Sequence, residues 1–190
     1  MLKTYLRMVV LVGSLFLASR DAASQEIVHA LTGFVSSIDT SQGTMTVFQD
    51  NGEKSTFKVM ASSKTPIAFD KKVAETTIDA TRFDKQGAYV VVFYFGSDDN
   101  RTAVALKTLG AGPFSSITGE VANWNGHDRT LSVSDKNGAV HSFRIDAQTV
   151  AETYMGVVNG SKFDIDKGDQ VRLVSSTKDG TSTVLFIRQK

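Results

Sequence analysis

Leu31-Thr32-Gly33-Phe34-Val35 returns further along the chain as Ile117-Thr118-Gly119-Glu120-Val121, and the match continues beyond it. Thr44-Met45-Thr46-Val47 is answered by Thr130-Leu131-Ser132-Val133, Asn51-Gly52 by Asn137-Gly138, and Phe57-Lys58-Val59 by Phe143-Arg144-Ile145. Residues 31–59 thus recur as residues 117–145 without a gap. Such a repeat implies two copies of one small folding unit, and it constrains the architecture more tightly than local propensity does.

Each copy reads as β structure. Met45 and Val47 share one face of residues 44–48 and Thr44 and Thr46 the other, the period of two expected of a half-buried strand. Phe57 and Val59 continue the pattern, and Asn51-Gly52 between the runs is a hairpin signal because both residue types tolerate positive φ. Leu131, Val133, Phe143, Ile145 and Asn137-Gly138 repeat it. The copies stop aligning in an irregular crossover, where a short helix is expected around residues 71–78, weakened by Thr76 and Thr77. Alignment resumes at Phe83-Asp84 against Phe163-Asp164 and at Gly87 against Gly168. A fourth strand follows each glycine, over residues 88–95 and 169–174, and a last strand covers 102–107 and 183–188. Three strands, a crossover and two strands make the count of an OB-type Greek-key barrel, with a β-sandwich as the rival. The expected fold is therefore all-β: two tandem five-stranded OB-like barrels after a signal peptide.

The beginning of the chain is read separately. Lys3 and Arg7 precede an apolar run over residues 8–18, and Ala22-Ala23-Ser24 offers small residues for cleavage before Gln25. That is the pattern of a secretory signal, and the run is shorter than the roughly 20 apolar residues a membrane-spanning helix needs. The expected division is 1–24 signal peptide, 25–108 first barrel, 109–116 linker and 117–190 second barrel, giving a periplasmic or secreted protein with no membrane span after cleavage. Each barrel holds about 75 residues, within the usual domain range. The absence of cysteine rules out thiolate metal sites, Cys nucleophiles and disulfide staples. The net charge of +1 includes Lys3, Arg7, Arg20 and Asp21, so the remainder is slightly acidic. This leaves no strong electrostatic case for nucleic acid or anionic membranes.

The second copy resembles a widespread family of exported bacterial domains of unknown function with an OB-like small β-barrel. The resemblance is carried by Gly119-Glu120-Val121, Asn137-Gly138, Asp146-Ala147-Gln148-Thr149, Lys167-Gly168-Asp169-Gln170-Val171 and the aliphatic strand over residues 184–187. The first copy keeps the opening hairpin but has Met60-Ala61-Ser62 and Gln86-Gly87-Ala88 at the later steps. The resemblance implies two tandem barrels and supplies no catalytic residues.

Candidate chemistry is sparse. His29, His127 and His141 have no spacing that favours a metal site. Trp124 with His127 invites comparison with small periplasmic copper-binding OB barrels, which use His, Met and Trp; here the closely spaced methionines are missing and Met155 lies far along the chain. Asp164, Asp166, Asp169 and Ser97-Asp98-Asp99-Asn100 are hard oxygen donors, but no calcium-loop pattern is present, and turn formation accounts for them. No Gly-x-Ser-x-Gly, phosphate loop or His-Glu-x-x-His occurs. The expectation is a non-enzyme with no metal and no cofactor, binding an unknown protein or small ligand of the cell envelope; a copper- or zinc-handling protein is the alternative. OB barrels commonly bind on strands two and three and their loops, which makes Trp124, Asn123 and His127 the ligand-site candidates; capping of the barrel is the other account of Trp124.

Tyr89-Val90-Val91-Val92-Phe93-Tyr94-Phe95 carries more information. With Gly87 aligned on Gly168, Val90 and Val92 match Val171 and Leu173 and should point inward, while Tyr89, Val91 and Phe93 match Gln170, Arg172 and Val174. A strand apolar on both faces is normally covered on both. Either the other barrel or the crossover covers Tyr89, Val91, Phe93 and Phe95, or this stripe is a surface for a partner or for self-association.

Overall fold

The computed structural model describes residues 26–62 and 70–190, so the signal peptide expected over 1–24 lies outside the described residues. The first barrel consists of β1 (His29–Asp39), β2 (Thr44–Gln49), β3 (Lys54–Val59), α1 (Lys71–Ala74), β4 (Ile78–Asp79), β5 (Tyr89–Phe95) and β6 (Thr102–Thr108). The second consists of β7 (Phe114–Asn125), β8 (Thr130–Asp135), β9 (Val140–Arg144), β10 (Val150–Thr153), β11 (Gly156–Asn159), β12 (Gln170–Lys178) and β13 (Thr181–Gln189).

Both sheets close in the same way. In the first, β1 pairs antiparallel with β2 and with β5, β2 with β3, and β5 with β6; parallel pairing of β3 with β6 completes the ring. In the second, β7, β8, β9, β13 and β12 form the same ring, closed by the parallel β9–β13 pairing. Closure satisfies strand edges that would otherwise be open. Matching β-bulges interrupt β1 between Val35 and Ser37 and β7 between Val121 and Asn123. Bulges add local twist and bend a strand, which a sheet needs if five strands are to form a barrel.

The repeated Gly-x-Val opening has a steric cause. A Cβ on Gly33 would collide with the Phe48 carbonyl oxygen and stand 2.7 Å from Val47 Cγ1; a Cβ on Gly119 would collide with the Ser134 carbonyl and stand 2.8 Å from Val133 Cγ1. The first strand of each copy thus presses against the backbone of the second, and only glycine leaves room. In the hairpins, Gly52 and Gly138 have φ of 86° and 81°, while the asparagines before them stay in the ordinary region. The amide N–H groups of Gly52 and Gly138 donate to the carbonyls of Gln49 and Asp135. These loops therefore need positive φ at one residue where the sequence suggested two, the three-residue hairpin with a glycine bulge.

Each barrel has its own core. Val35, Met45, Val47, Phe57, Val90 and Val92 fill the first; Val121, Leu131, Val133, Phe143, Val171 and Leu173 fill the second. The crossovers differ. The first holds α1, a single turn shorter than expected, because the Thr76 and Thr77 hydroxyls donate to the Val73 and Ala74 carbonyls and end it. The second holds the β10–β11 hairpin, with β10 added in parallel to β13. The segment expected as linker ends early, since β7 begins at Phe114 and residues 114–116 pair with β12. Among the described residues no helix is long and apolar enough to cross a membrane.

Candidate functional site

The outward face of β5 sets how the barrels meet. Tyr89, Val91 and Phe93 are buried, and they share one apolar cluster with Val150, Val157, Val174 and Phe186 of the second barrel, against which Phe95 also packs. The stripe is thus covered within the chain. Self-association through Tyr89, Val91, Phe93 and Phe95 would need a face that an intramolecular contact already occupies.

Polar ties surround this apolar patch. Asp50, in the β2–β3 turn, receives the Tyr89 hydroxyl at 2.6 Å and Arg172 Nη2 of the second barrel at 2.6 Å. Burial raises the Tyr89 phenol above its ordinary range, and the Asp50 acceptor adds to the effect. Asp70 caps α1 through the Lys72 amide and receives Asn159 Nδ2 at 2.7 Å and Lys162 Nζ at 2.6 Å. His29 opens β1, and its Nδ1 stands 3.0 Å from Glu152 Oε1 on β10. The Glu152 side chain is only 4% exposed. Burial raises its carboxyl, against the pull of Arg188 and His29.

Between the barrels, beside these ties, lies a cleft of about 690 Å³ whose lining includes Asp50, Tyr94, Arg101, Thr118, Arg172 and Arg188. Arg101 follows the turn into β6, and its guanidinium stands 5.6 Å from the centre of the Tyr94 ring. Its Nη1 donates to Ser55 Oγ at 2.8 Å, and its Nε is buried with no hydrogen-bond partner. Arg188, on β13, brings Nε within 3.3 Å of Glu152 Oε2. The two barrels thus deliver cationic side chains to the two walls of one opening.

The residues singled out in the sequence lie elsewhere. Trp124 donates from Nε1 to Asp164 at 2.8 Å, meets Phe163 edge-on at 5.7 Å between ring centres, and carries the Arg129 guanidinium 4.9 Å from its own ring centre. It is half-buried against the second core, so its geometry is that of a barrel cap. Asn123 and His127 are exposed. The turn there is organised by Asn125, whose Oδ1 accepts from the His127 and Asp128 amides. Met155 is exposed at the tip of the β10–β11 hairpin. His141 pairs with Asp135 at 3.1 Å, and hydrogen bonding to His141 is the leading cause that lowers the Asp135 carboxyl. Asp164 and Asp169 accept from Trp124 and Gln189. Among the described residues no three His, Cys, Asp or Glu side chains converge as a metal site.

Arg101, Arg188 and Glu152 were not identified from the sequence. One available signal was that Arg172 and Arg188 stand where the alignment gives the first copy Val91 and Lys107, and Val91 is apolar.

No protein-family model and no curated protein matches the chain. Among solved structures, the chain is similar to the crystal structure of Ag(I)CusF, with 16% sequence identity and a TM-score of 0.33; the match covers 42% of this chain and all of that one.

Proposed function

We propose that this protein is a non-enzymatic binding module of the cell envelope, with its ligand held in the cleft between the two barrels. The supporting observation is that the cleft walls are fixed relative to one another. A shared apolar cluster and the Asp50–Arg172 and Asp70–Lys162 pairs join the barrels on several sides. A pre-formed concavity avoids the ordering cost that a flexible site pays on binding. Export rests on the N-terminal sequence pattern. Copper or zinc handling would draw on Trp124 and His127, and the Trp124 ring is already engaged by Arg129, Phe163 and Asp164.

The test is an NMR titration of the purified protein with small-molecule extract from its native envelope fraction. The amides of Asn51, Thr118 and Gln189, around the cleft, should shift. Shifts confined to residues 123–127 would overturn the reading, as would none at all.

A further inference from the structure

The lining of the cleft also bears on what it binds. Asp50, Glu53 and Arg101 line it from the first barrel and Arg172, Arg188 and Lys190 from the second. Arg172 is already neutralised, because Asp50 Oδ2 lies 2.6 Å from its Nη2. Arg188 is ion-paired with Glu152 at 3.3 Å through Nε, and among the described residues its terminal nitrogens make no hydrogen bond. Among the described residues the Arg101 guanidinium has no carboxylate within ion-pairing distance, and its hydrogen bond goes to the neutral Ser55 hydroxyl. Glu53 is exposed and carries the remaining negative charge of the lining.

Tyr94 lines the same opening as Arg101 and Arg188, and the Arg101 guanidinium stands 5.6 Å from the centre of its ring. It is 5% exposed, and among the described residues its hydroxyl makes no hydrogen bond. Burial and the nearby Glu152 raise its phenol, while Arg188 and Arg101 pull it back. Cations gathered in a partly desolvated opening repel one another unless an anion joins them. Guanidinium groups present planar forks of N–H donors that match the oxygens of carboxylates and phosphates. Thr118 and Ser116 add neutral hydroxyls to the rim.

We infer that the inter-barrel cleft binds a small multivalent oxyanion, a polycarboxylate or a phosphate, between Arg101 and Arg188 beside the Tyr94 hydroxyl. The inference rests on the cleft being the binding site.

The experiment titrates the same protein with citrate and with inorganic phosphate at constant ionic strength, by calorimetry and by NMR. The two probes separate carboxylate from phosphate as the preferred group. At least one should bind saturably with a dissociation constant of about 1 mM or tighter. Arg101→Gln should weaken that binding about tenfold or more, the loss of one charge-assisted contact. Thr118→Glu, which places a negative charge on an exposed rim position and leaves the core intact, should abolish it; both variants are checked for the wild-type spectrum. No saturable binding of either probe up to about 10 mM overturns the inference, and so does equal binding by wild type and both variants, which would mean an adventitious ion only. If envelope extract shifts the cleft amides and neither anion does, the anion class fails and the cleft reading stands. If extract leaves them unmoved, the cleft reading itself fails.

Discussion

Replacing Asp70 by Asn tests how firmly the barrels are tied, because Asp70 belongs to the first crossover and its partners Asn159 and Lys162 to the second barrel. Its side chain is 3% exposed. Burial alone would raise its carboxyl, but the donors outweigh burial: Lys162, Asn159 and the Lys72 amide draw it from 3.8 down to about 2. At roughly 1.36 kcal/mol per pH unit, that depression corresponds to about 2.5 kcal/mol of stability at neutral pH. The Lys162 ammonium is 64% exposed, so solvent screens its share and the working figure falls to about 2 kcal/mol. A carboxyl with a depressed folded-state value contributes fully above the unfolded value and loses the contribution as pH falls through the folded one. Asp70→Asn keeps the shape and can still cap α1, so it removes mainly the charge. Urea denaturation should show the variant about 2 kcal/mol less stable at pH 7, with the gap narrowing between pH 4 and pH 2. A gap of the same size at both ends of that range would refute the argument, since it would show that Asp70 acts without its charge.

Two further predictions concern packing. Phe93→Ala should cost about 3–4 kcal/mol in urea denaturation by opening a cavity between the barrels; a loss below about 1 kcal/mol would mean that the shared cluster is not a packed interface. Trp124→Ala should cost about 2 kcal/mol, because the ring is only half-buried, and should leave ligand shifts at the cleft amides unchanged; loss of those shifts would return Trp124 to the binding site.

The barrels were legible where the signal is local. Met45, Val47, Leu131 and Val133 alternate over a few residues, and two glycines mark the turns, so strands, hairpins and inward faces follow from period and turn chemistry. The outward stripe of β5 was legible by comparing the copies, because Val91 stands where the other copy has Arg172. The β10–β11 hairpin was not, since beyond their local pairing with β11, Val150 and Ala151 are held by parallel pairing with Phe186 and Ile187, far along the chain. The cleft was hidden for the same reason. Arg101 and Arg188 look like ordinary surface cations until the packing of one barrel on the other brings them to one opening. Trp124 stood out as the lone tryptophan, yet its N–H and ring are satisfied by neighbours that no spacing rule connects to it.

Two cross-strand pairs at the barrel contact carry a consequence for how the halves can assemble. Phe93 stands opposite Ala105 on β5 and β6, and at the aligned positions of the second barrel Val174 stands opposite Phe186 on β12 and β13. All four lie in the shared cluster. The order of sizes is reversed: the large residue sits on the earlier strand in one barrel and on the later strand in the other. Two identical barrels meeting through this face would have to repeat one order on both sides and be complementary to themselves, whereas here the two faces carry different orders. Joining the halves in one chain removes that demand, so each face is free to specialise as the counterpart of the other.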